Sequence, residues 1–272
     1  MSKKIACIGV GAMGGAIMRS ICKKENPSNI FISDKNENLA SSFAQETNCK
    51  YIKENTECVS LADYILLAVK PQFLKSVIDE IKPFIKKSSV VISMAAGVKT
   101  STIVEWAPEL RVVRMMPNVC AQVEKGIIGV SINSNISDSE TSDILGILSS
   151  AGIVEIIPES LMDCVTAVSG SGPAFVFSFI EAMADAAVKC GMPRSQAYTF
   201  AAQTVYGSAA MVLETKEHPA VLKDKVCSPA GTTIEGIAAL EANGFRNAII
   251  EAVSAAYNKS ISIGKKWLFL KL

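Results

Sequence analysis

Two segments of this 272-residue chain contain residue types whose order and spacing suit chemistry. Near the N-terminus, an apolar run at residues 5–8 leads directly into a Gly-x-Gly-x-x-Gly sequence at residues 9–14. Near the C-terminus, residues 224–241 combine a Ser-Pro-Ala-Gly turn with two adjacent hydroxyls, Thr232 and Thr233. Glycine-rich turns and helix starts both present free backbone N–H groups, so each segment is a candidate anion site.

The N-terminal segment predicts a turn that binds a dinucleotide, because it follows a strand and precedes an amphipathic helix. In such a turn Gly9 permits the tight bend, Gly11 lets a pyrophosphate approach the backbone, and Gly14 lets the helix pack closely on the strand. The N-terminus of the helix then attracts the pyrophosphate through its N–H groups and partial positive charge.

The position after the second predicted strand bears on which dinucleotide binds. Asp34 lies twenty residues after Gly14, where a carboxylate accepts hydrogen bonds from the ribose 2′-OH and favours NAD(H). Ser33, Lys35 and Asn36 could instead accommodate a 2′-phosphate by hydrogen bonding and charge. Asp34 could also simply cap the next helix. The sequence leaves NADPH and NADH both open.

The C-terminal segment predicts the start of a helix. Thr232 and Glu235 have the spacing of a capping box, so we expect the helix to begin at Thr232. The simplest interpretation is a well-capped helix with no ligand. The alternative is a site for a carboxylate or phosphate, and a dinucleotide turn elsewhere in the chain favours this alternative.

Composition excludes several classes of function. The formal net charge is +1, which gives no electrostatic reason to expect nucleic acid or an anionic membrane as partner. Eight scattered cysteines without a Cys-x-x-Cys pair, and no recognisable secretory signal, predict reduced thiols in the cytoplasm. His218 is the only histidine and lies in a polar stretch, where we expect a solvated loop residue. We therefore expect no metal site and no histidine-based triad.

The longest apolar segment, residues 174–188, is the one place where a membrane span could be considered. It carries Glu181 and Asp185, which argue against a span. The segment is instead predicted to be a buried helix.

The first 160 residues alternate apolar β-rich runs with helical patterns, which predicts βαβ units around a largely parallel sheet. The later strands have shorter connections, so an antiparallel edge is an open alternative. The predicted strands are 5–9, 29–33, 64–69, 89–94, 111–115, 127–132 and 153–157. The helical patterns between them are clearest at 13–24, 73–84 and 140–150.

Residues 161–272 show only helical patterns, which predicts a separate all-helical domain. The predicted helices are 173–190, 193–215, 232–243 and 246–263. These helices are rich in alanine and are apolar on more than one face. Four helices of a small domain cannot bury this much apolar surface among themselves. A tight alanine-packed bundle is one interpretation, and a helical dimer interface is the one we favour.

Four motifs together resemble pyrroline-5-carboxylate reductase, the enzyme family of the last step of proline biosynthesis. They are the glycine turn at 9–14, Ala-Val-Lys-Pro at 68–71, Ser-Gly-Ser-Gly-Pro at 169–173 and the segment 224–241. The resemblance covers essentially the whole chain in order. It implies an N-terminal Rossmann domain (1–160) and a helical dimerisation and substrate domain (161–272), assembled as a homodimer or larger homo-oligomer.

The resemblance also implies the site residues. The cofactor site, for NADPH or NADH, would contain Ile8, Gly9, Val10, Gly11, Ala12, Met13, Gly14, Ser33, Asn55, Ala68, Val69, Lys70, Pro71, Met94, Ala95 and Ala96. The substrate site would contain Glu159, Asp224, Ser228, Gly231, Thr232 and Thr233. Of these, Thr233 would hydrogen-bond the pyrroline nitrogen and act as the catalytic residue. Glu159 and Asp224 would support the site, or be ordinary surface carboxylates or helix caps.

Two other functions are weighed against the reductase. A β-hydroxyacid dehydrogenase pairs a similar glycine turn with a helical domain, but needs a lysine early in that domain. The stretch 169–187 has none, and Lys189 comes only at the end of the predicted helix. A non-catalytic NAD(P)-sensing module would have the glycine turn but no reason for the Ser228–Thr233 segment.

Overall fold

The structure, a computed structural model, describes residues 3–269 and the side chains of residues 3–264. The described chain divides into two compact units. The first unit contains the residues up to Ser171 and, from the end of the chain, those from Ala256 onward. The second unit is Gly172–Ala255. The sequence placed the boundary at 160/161, ahead of the segment 161–171 that belongs to the first unit.

The first unit is built on an eight-stranded sheet with the order β3-β2-β1-β4-β5-β6-β7-β8. All neighbouring strands are parallel except β6 and β7, so the antiparallel edge is present. The strands are β1 Ile5–Ile8, β2 Ile30–Ser33, β3 Lys50–Tyr51, β4 Tyr64–Leu67, β5 Val90–Ser93, β6 Arg111–Met116, β7 Gly126–Ser131 and β8 Gly152–Ile156. The seven strands predicted from sequence are confirmed, and the two-residue β3 was missed because it is too short to show a pattern.

The helices of the described chain include those predicted, with several additions. They are α1 Ala12–Lys24, α2 Glu37–Thr47, α3 Asn55–Ser60, α4 Pro71–Ile81, α5 Thr100–Trp106, α6 Asp138–Leu148, α7 Met162–Val165, α8 Gly172–Lys189, α9 Arg194–Thr215, α10 Pro219–Val226, α11 Thr232–Ala242 and α12 Phe245–Phe269. A π-helical segment, Thr166–Ser171, joins α7 to α8. Pro173, two residues after the end of this segment, has no N–H to donate, which favours such local widening.

Two separate apolar clusters cover the two faces of the sheet. One contains side chains of α1, α2 and α6, such as Ile17, Phe43 and Ile147. The other contains side chains of α3, α4 and α5, such as Val59 and Leu74. Helices on both faces of a parallel sheet define a doubly wound α/β fold, so the predicted fold class of the N-terminal half is confirmed.

The second unit has a small core of its own. Its fully buried cluster consists of Ala184, Ala197 and Ala201, where α8 packs against α9. The prediction of a buried helix at 174–188 is wrong for the single chain, because α8 buries only Pro173 and Ala184. Its large apolar side chains are exposed instead, including Phe177 at 58%. Where α8 packs against α9 through alanines, only one side of each helix is covered, and the apolar side chains on its other sides stay exposed.

One helical stretch is long and apolar enough to cross a membrane, judged by its length and composition alone. Among the described residues, this stretch is Glu159–Lys189. It contains four acidic residues, Glu159, Asp163, Glu181 and Asp185. Length and composition do not distinguish a membrane span from a helix that is covered by another protein chain.

Candidate active site

The glycine turn after β1 has the backbone that its sequence predicts. Gly9 adopts φ +97°, in the region that favours glycine, and its N–H donates to the Ser33 carbonyl at 2.8 Å. A Cβ on Gly14 would lie only 2.2 Å from the Gly9 carbonyl oxygen. The tight bend at Gly9 and the close helix packing at Gly14 are therefore both confirmed.

The start of α1 is an open cradle for an anion. Gly11 is the N-cap, has no side-chain cap hydrogen bond, and is exposed. A Cβ on Gly11 would meet no atom within 4 Å, and the first turn of α1 contains no acidic residue. Unpaired N–H groups facing open space fit the pyrophosphate of a dinucleotide.

Asp34 is attached to the glycine turn by its side chain. Its Oδ2 accepts from the Val10 N–H and its Oδ1 from the Asn36 N–H, both at 2.9 Å. The cap of α2 is Asn36, whose side chain accepts from the Leu39 N–H at 3.1 Å. The alternative that Asp34 caps this helix is therefore wrong. Each carboxylate oxygen can accept further hydrogen bonds, so Asp34 remains available to a ribose hydroxyl.

The neighbours of Asp34 give mixed support for a 2′-phosphate. The Ser33 side chain is buried, and its hydroxyl donates to the Lys53 carbonyl at 3.2 Å. The exposed Lys35 ammonium lies 4.8 Å from the centre of the Phe73 ring. A cation at this position can turn towards a phosphate, whereas the Asp34 carboxylate would repel one.

Residues of the predicted cofactor site follow three adjacent strands at the same edge of the sheet. Ile8, Leu67 and Ser93 are register partners across β1, β4 and β5. The chain order reverses between β1 and β4, which is where doubly wound sheets bind their ligands. The structure thus brings together the glycine turn, the Ala68–Pro71 segment and the Met94–Ala96 segment. Asn55 begins α3, and its side-chain amide donates to Glu80 Oε2 at 3.2 Å.

Glu159 is engaged by other residues of the first unit. Its Oε1 accepts from the Thr100 N–H and its Oε2 from the Thr100 hydroxyl, both at 2.7 Å. The guanidinium of Arg114, with a side chain only 4% exposed, lies 3.3 Å from Oε1. Glu159 thus holds the first turn of α5 and neutralises a buried cation. Sequence reasoning missed Thr100 and Arg114, because no local pattern marks a pairing between distant segments.

The Ser228–Gly231 segment forms the expected tight turn. The Gly231 N–H donates to the Ser228 carbonyl at 3.1 Å, and Ala230 adopts φ +55°. A Cβ on Gly231 would lie 2.3 Å from Ser228 Oγ and 3.1 Å from the Ser228 carbonyl oxygen, so a larger residue here would displace the Ser228 side chain. A positive φ at a non-glycine residue costs energy and persists only where the surrounding structure holds it.

The helix after this turn begins at Thr232, as predicted, but its cap is different. Gly231 is the N-cap of α11 and has no side-chain cap hydrogen bond, so the predicted Thr232–Glu235 capping box is wrong. Thr232 already has helical geometry, which removes its hydroxyl from the capping position. The first N–H groups of α11 therefore lack a side-chain partner, which suits an anionic ligand.

Asp224 and His218, on the helix before this turn and at its start, are both exposed and bond to residues close in sequence. Asp224 is exposed, and its Oδ1 lies 2.7 Å from the Lys223 ammonium. His218 is exposed but is the N-cap of the unpredicted helix α10, with its Nδ1 accepting from the Ala220 N–H at 3.2 Å. In the part of the chain that the structure describes, no group of three or more metal-ligating side chains occurs.

The doubly wound sheet and its open glycine turn are those of a dinucleotide-dependent oxidoreductase. In agreement, residues 4–97 match the family model described as NADP oxidoreductase, coenzyme F420-dependent. Residues 159–263 match the model for pyrroline-5-carboxylate reductase dimerisation. The Escherichia coli K12 pyrroline-5-carboxylate reductase is 43% identical over 97% of this chain and 100% of its own length. The chain therefore belongs to the pyrroline-5-carboxylate reductase family and is an NAD(P)-dependent oxidoreductase.

Two further relatives agree with this assignment. The pyrroline-5-carboxylate reductase of Methanosarcina acetivorans is 46% identical over 97% of this chain and 99% of its own length. The solved structure of Plasmodium falciparum pyrroline carboxylate reductase with NADP bound has a TM-score of 0.86 and 33% identity, and covers 96% of this chain and 98% of its own. Family membership decides against the β-hydroxyacid dehydrogenase and the non-catalytic sensing module. It also confirms homo-oligomerisation as a property of this chain's helical region.

Proposed function

We infer that this chain catalyses the reaction that gives its family its name, the reduction of 1-pyrroline-5-carboxylate to L-proline. The observation that carries the inference is the family match along the full chain, together with an open dinucleotide turn at the expected sheet edge. The product follows from adding one hydride and one proton across the ring C=N bond. This is the last step of proline biosynthesis.

The cofactor NAD(P)H supplies the hydride when it is bound. The N–H groups at the start of α1 would hold its pyrophosphate, and Gly11 leaves the backbone accessible. Asp34 and Lys35 directly follow β2, at the predicted adenosine ribose position, and they favour opposite cofactors. The remaining predicted contacts, from the Ala68–Pro71 and Met94–Ala96 segments, would position the nicotinamide end.

The substrate would be held at the turn between α10 and α11. Within the Gly231–Thr233 turn, its carboxylate suits the N–H groups of Thr232 and Thr233, which have no side-chain cap, whereas the Gly231 N–H already donates to the Ser228 carbonyl. The half-buried Thr233 would orient the ring nitrogen through its hydroxyl and relay the proton to it. A protonated cyclic imine is already electrophilic at carbon, so the reaction needs orientation more than a strong acid or base.

The two predicted carboxylates have different roles in this proposal. Glu159 positions α5 through Thr100 and binds Arg114, and both of its oxygens are already accepting hydrogen bonds. Asp224 lies in the last turn of α10, directly before the substrate segment. Its backbone carbonyl accepts from the Cys227 N–H at 3.1 Å. Neither carboxylate is assigned a proton-transfer step.

The assembly would be a homodimer or a larger homo-oligomer formed through the helical unit. The support is the exposed apolar surface of this unit, within the residues that match the dimerisation model. A second copy of the chain would cover this surface, as an obligate interface resembles a core cut in half. We place the enzyme in the cytoplasm, where its eight free thiols would stay reduced.

The test is a spectrophotometric assay of the purified protein with 1-pyrroline-5-carboxylate and either NADPH or NADH. We expect nicotinamide absorbance to fall only when substrate is present. The ratio of kcat/KM for the two cofactors measures whether the Asp34 carboxylate or the Lys35 cation dominates at the ribose. An absence of turnover with both cofactors would refute the proposed function.

A further inference from the structure

The loop between β5 and α5 carries three predicted cofactor residues, Met94, Ala95 and Ala96. It turns sharply after them: Gly97 adopts φ +74°, and the Val98 N–H donates to the Ala95 carbonyl at 3.4 Å. A turn of this type places a positive φ at its third residue, which favours glycine. The conformation of Gly97 therefore sets where the backbone of Ala95 and Ala96 lies.

The last part of α12 contacts this turn backbone to backbone. A Cβ on Gly97 would lie 3.1 Å from the Gly264 nitrogen and 3.2 Å from the Ile263 side chain. In the other direction, a Cβ on Gly264 would lie 3.1 Å from the Gly97 carbonyl oxygen. All three distances are shorter than an ordinary van der Waals contact. A methyl group at position 264 must therefore push the Gly97 peptide away by a few tenths of an ångström.

The same end of α12 is bonded to the rest of the first unit one turn earlier. The hydroxyl of Ser260, which is 5% exposed, donates to Asp163 Oδ1 at 2.6 Å. Asp163 lies one helical turn after Glu159, whose carboxylate holds the start of α5 through Thr100. The segment 159–163 is thus hydrogen-bonded both to α12 and to Thr100, at the start of α5.

These contacts hold the loop from two sides. Glu159 fixes its downstream end at Thr100, and Gly264 limits the position of its turn at Gly97. Neither Gly264 nor Ser260 lies among the residues predicted to touch the cofactor. Their effect on it would pass through the Ala95–Ala96 backbone.

We propose that Gly264 and Ser260 are positioning residues for the cofactor, acting by placing the Met94–Gly97 loop. This inference rests on the proposed function, because it takes that loop as part of the NAD(P)H site. A shift of the Ala95–Ala96 backbone by a few tenths of an ångström would weaken about one hydrogen bond or close contact to the cofactor, which corresponds to about 5- to 10-fold in its dissociation constant. The loss falls on cofactor affinity rather than on the substrate.

The first experiment compares Gly264→Ala with Gly146→Ala. Gly146 lies inside α6, and a Cβ there meets no atom within 4 Å, so this control adds the same methyl group without a contact. We measure the NADPH dissociation constant by calorimetry, and the steady-state KM values and kcat. For Gly264→Ala we expect about 5- to 10-fold weaker NADPH binding, a matching rise in its KM, and little change in the substrate KM. Gly146→Ala should match the parent.

The second experiment needs neither cofactor nor turnover. Hydrogen exchange of a peptide covering residues 94–100 should be faster in Gly264→Ala than in the parent, and unchanged in Gly146→Ala. Ser260→Ala removes the hydrogen bond to Asp163 without adding bulk, and carries the test if Gly264→Ala does not fold. Asp163→Asn retains an acceptor oxygen for the Ser260 hydroxyl. This variant should bind NADPH nearly as tightly as the parent and more tightly than Ser260→Ala.

The outcomes separate the two proposals. If the parent binds neither NADPH nor NADH and turns over with neither, the proposed function fails. If the parent prefers NADH, the same measurements are made with NADH. If the parent binds its cofactor and turns over, while Gly264→Ala and Ser260→Ala bind that cofactor as tightly as the parent and leave exchange at 94–100 unchanged, the positioning role is overturned. A uniform loss of kcat without any change in cofactor affinity would overturn it as well.

Discussion

At the scale of single residues, Gly11 and Gly14 belong to one motif but serve it differently. A Cβ on Gly14 would lie 2.2 Å from the Gly9 carbonyl oxygen and 2.7 Å from Ala68 Cβ, whereas one on Gly11 meets open space. We therefore expect Gly14→Ala to lower the free energy of unfolding by about 2–3 kcal/mol, the cost of overpacking. Gly11→Ala should leave stability within about 0.5 kcal/mol of the parent but weaken NADPH binding.

Urea denaturation and NADPH calorimetry on both variants measure this contrast, and each variant is the other's control. Equal stability of the two variants would contradict the assigned packing at Gly14. Full NADPH affinity in Gly11→Ala would show that the pyrophosphate does not approach this part of the backbone.

Thr233 is the other residue on which the proposed chemistry depends. Thr233→Ala should lower kcat by about 10²-fold or more, because orientation and proton relay to the ring nitrogen are lost. NADPH affinity should stay close to that of the parent. Thr233→Ser keeps the hydroxyl and should retain most of the activity. An alanine variant with the kcat of the parent would remove Thr233 from the mechanism.

At the scale of elements, α6 is secured by a capping box and by an ion pair. Ser137 and Glu140 cap it reciprocally, and the Arg111 guanidinium of β6 donates to both oxygens of Glu140 at 2.7 and 2.6 Å. The pKa of Glu140 is lowered to about 2, first by the Arg111 hydrogen bonds and then by those from Ser137. Both partners of the ion pair are about three-quarters buried.

This pKa shift predicts a pH dependence of stability. A carboxyl with a depressed folded-state pKa contributes fully above its unfolded pKa of about 4.3, and this contribution is lost as pH falls towards 2. We expect Glu140→Gln to be about 2 kcal/mol less stable than the parent at pH 7, with the difference shrinking below about pH 4. Urea unfolding at several pH values measures it, with the exposed Glu109→Gln as control. A difference that does not change with pH would contradict the ion-pair origin.

At the scale of the whole molecule, the helical unit leaves apolar side chains uncovered. Phe200 of α9 and Ile250 of α12 are 63% and 60% exposed, and both fall within the residues that match the dimerisation model. Large apolar side chains left exposed in this way mark an interface. Homo-oligomer formation would cover them.

The assembly can be tested by placing a charge on this surface. The double variant Phe200→Asp, Ile250→Asp should weaken self-association at least tenfold, because each carboxylate would have to be buried unpaired. Phe84→Asp is the control, since Phe84 is 51% exposed but lies outside the dimerisation match. Size-exclusion chromatography with light scattering gives the masses over a dilution series. An unchanged mass of the double variant at all concentrations would place the interface elsewhere.

The sequence alone determined the features that depend on neighbouring residues. The glycine turn, the apolar strands and the helix ends at Gly191 and Gly244, both with positive φ, are set by local backbone chemistry. The same holds for the turn before α11, where Pro229 restricts the backbone and Gly231 adds no side chain next to Ser228. The family resemblance rested on these local motifs, and they also led to the fold class.

Tertiary structure decided everything that depends on which distant residues meet. Asp34 bonds to the Val10 N–H rather than capping α2, and Glu159 bonds to Thr100 and Arg114. The contact between Gly97 and Gly264 joins segments far apart in the chain. Such pairings follow from the order of strands in the sheet and the path of α12, and a side chain's own sequence neighbourhood contains no record of them.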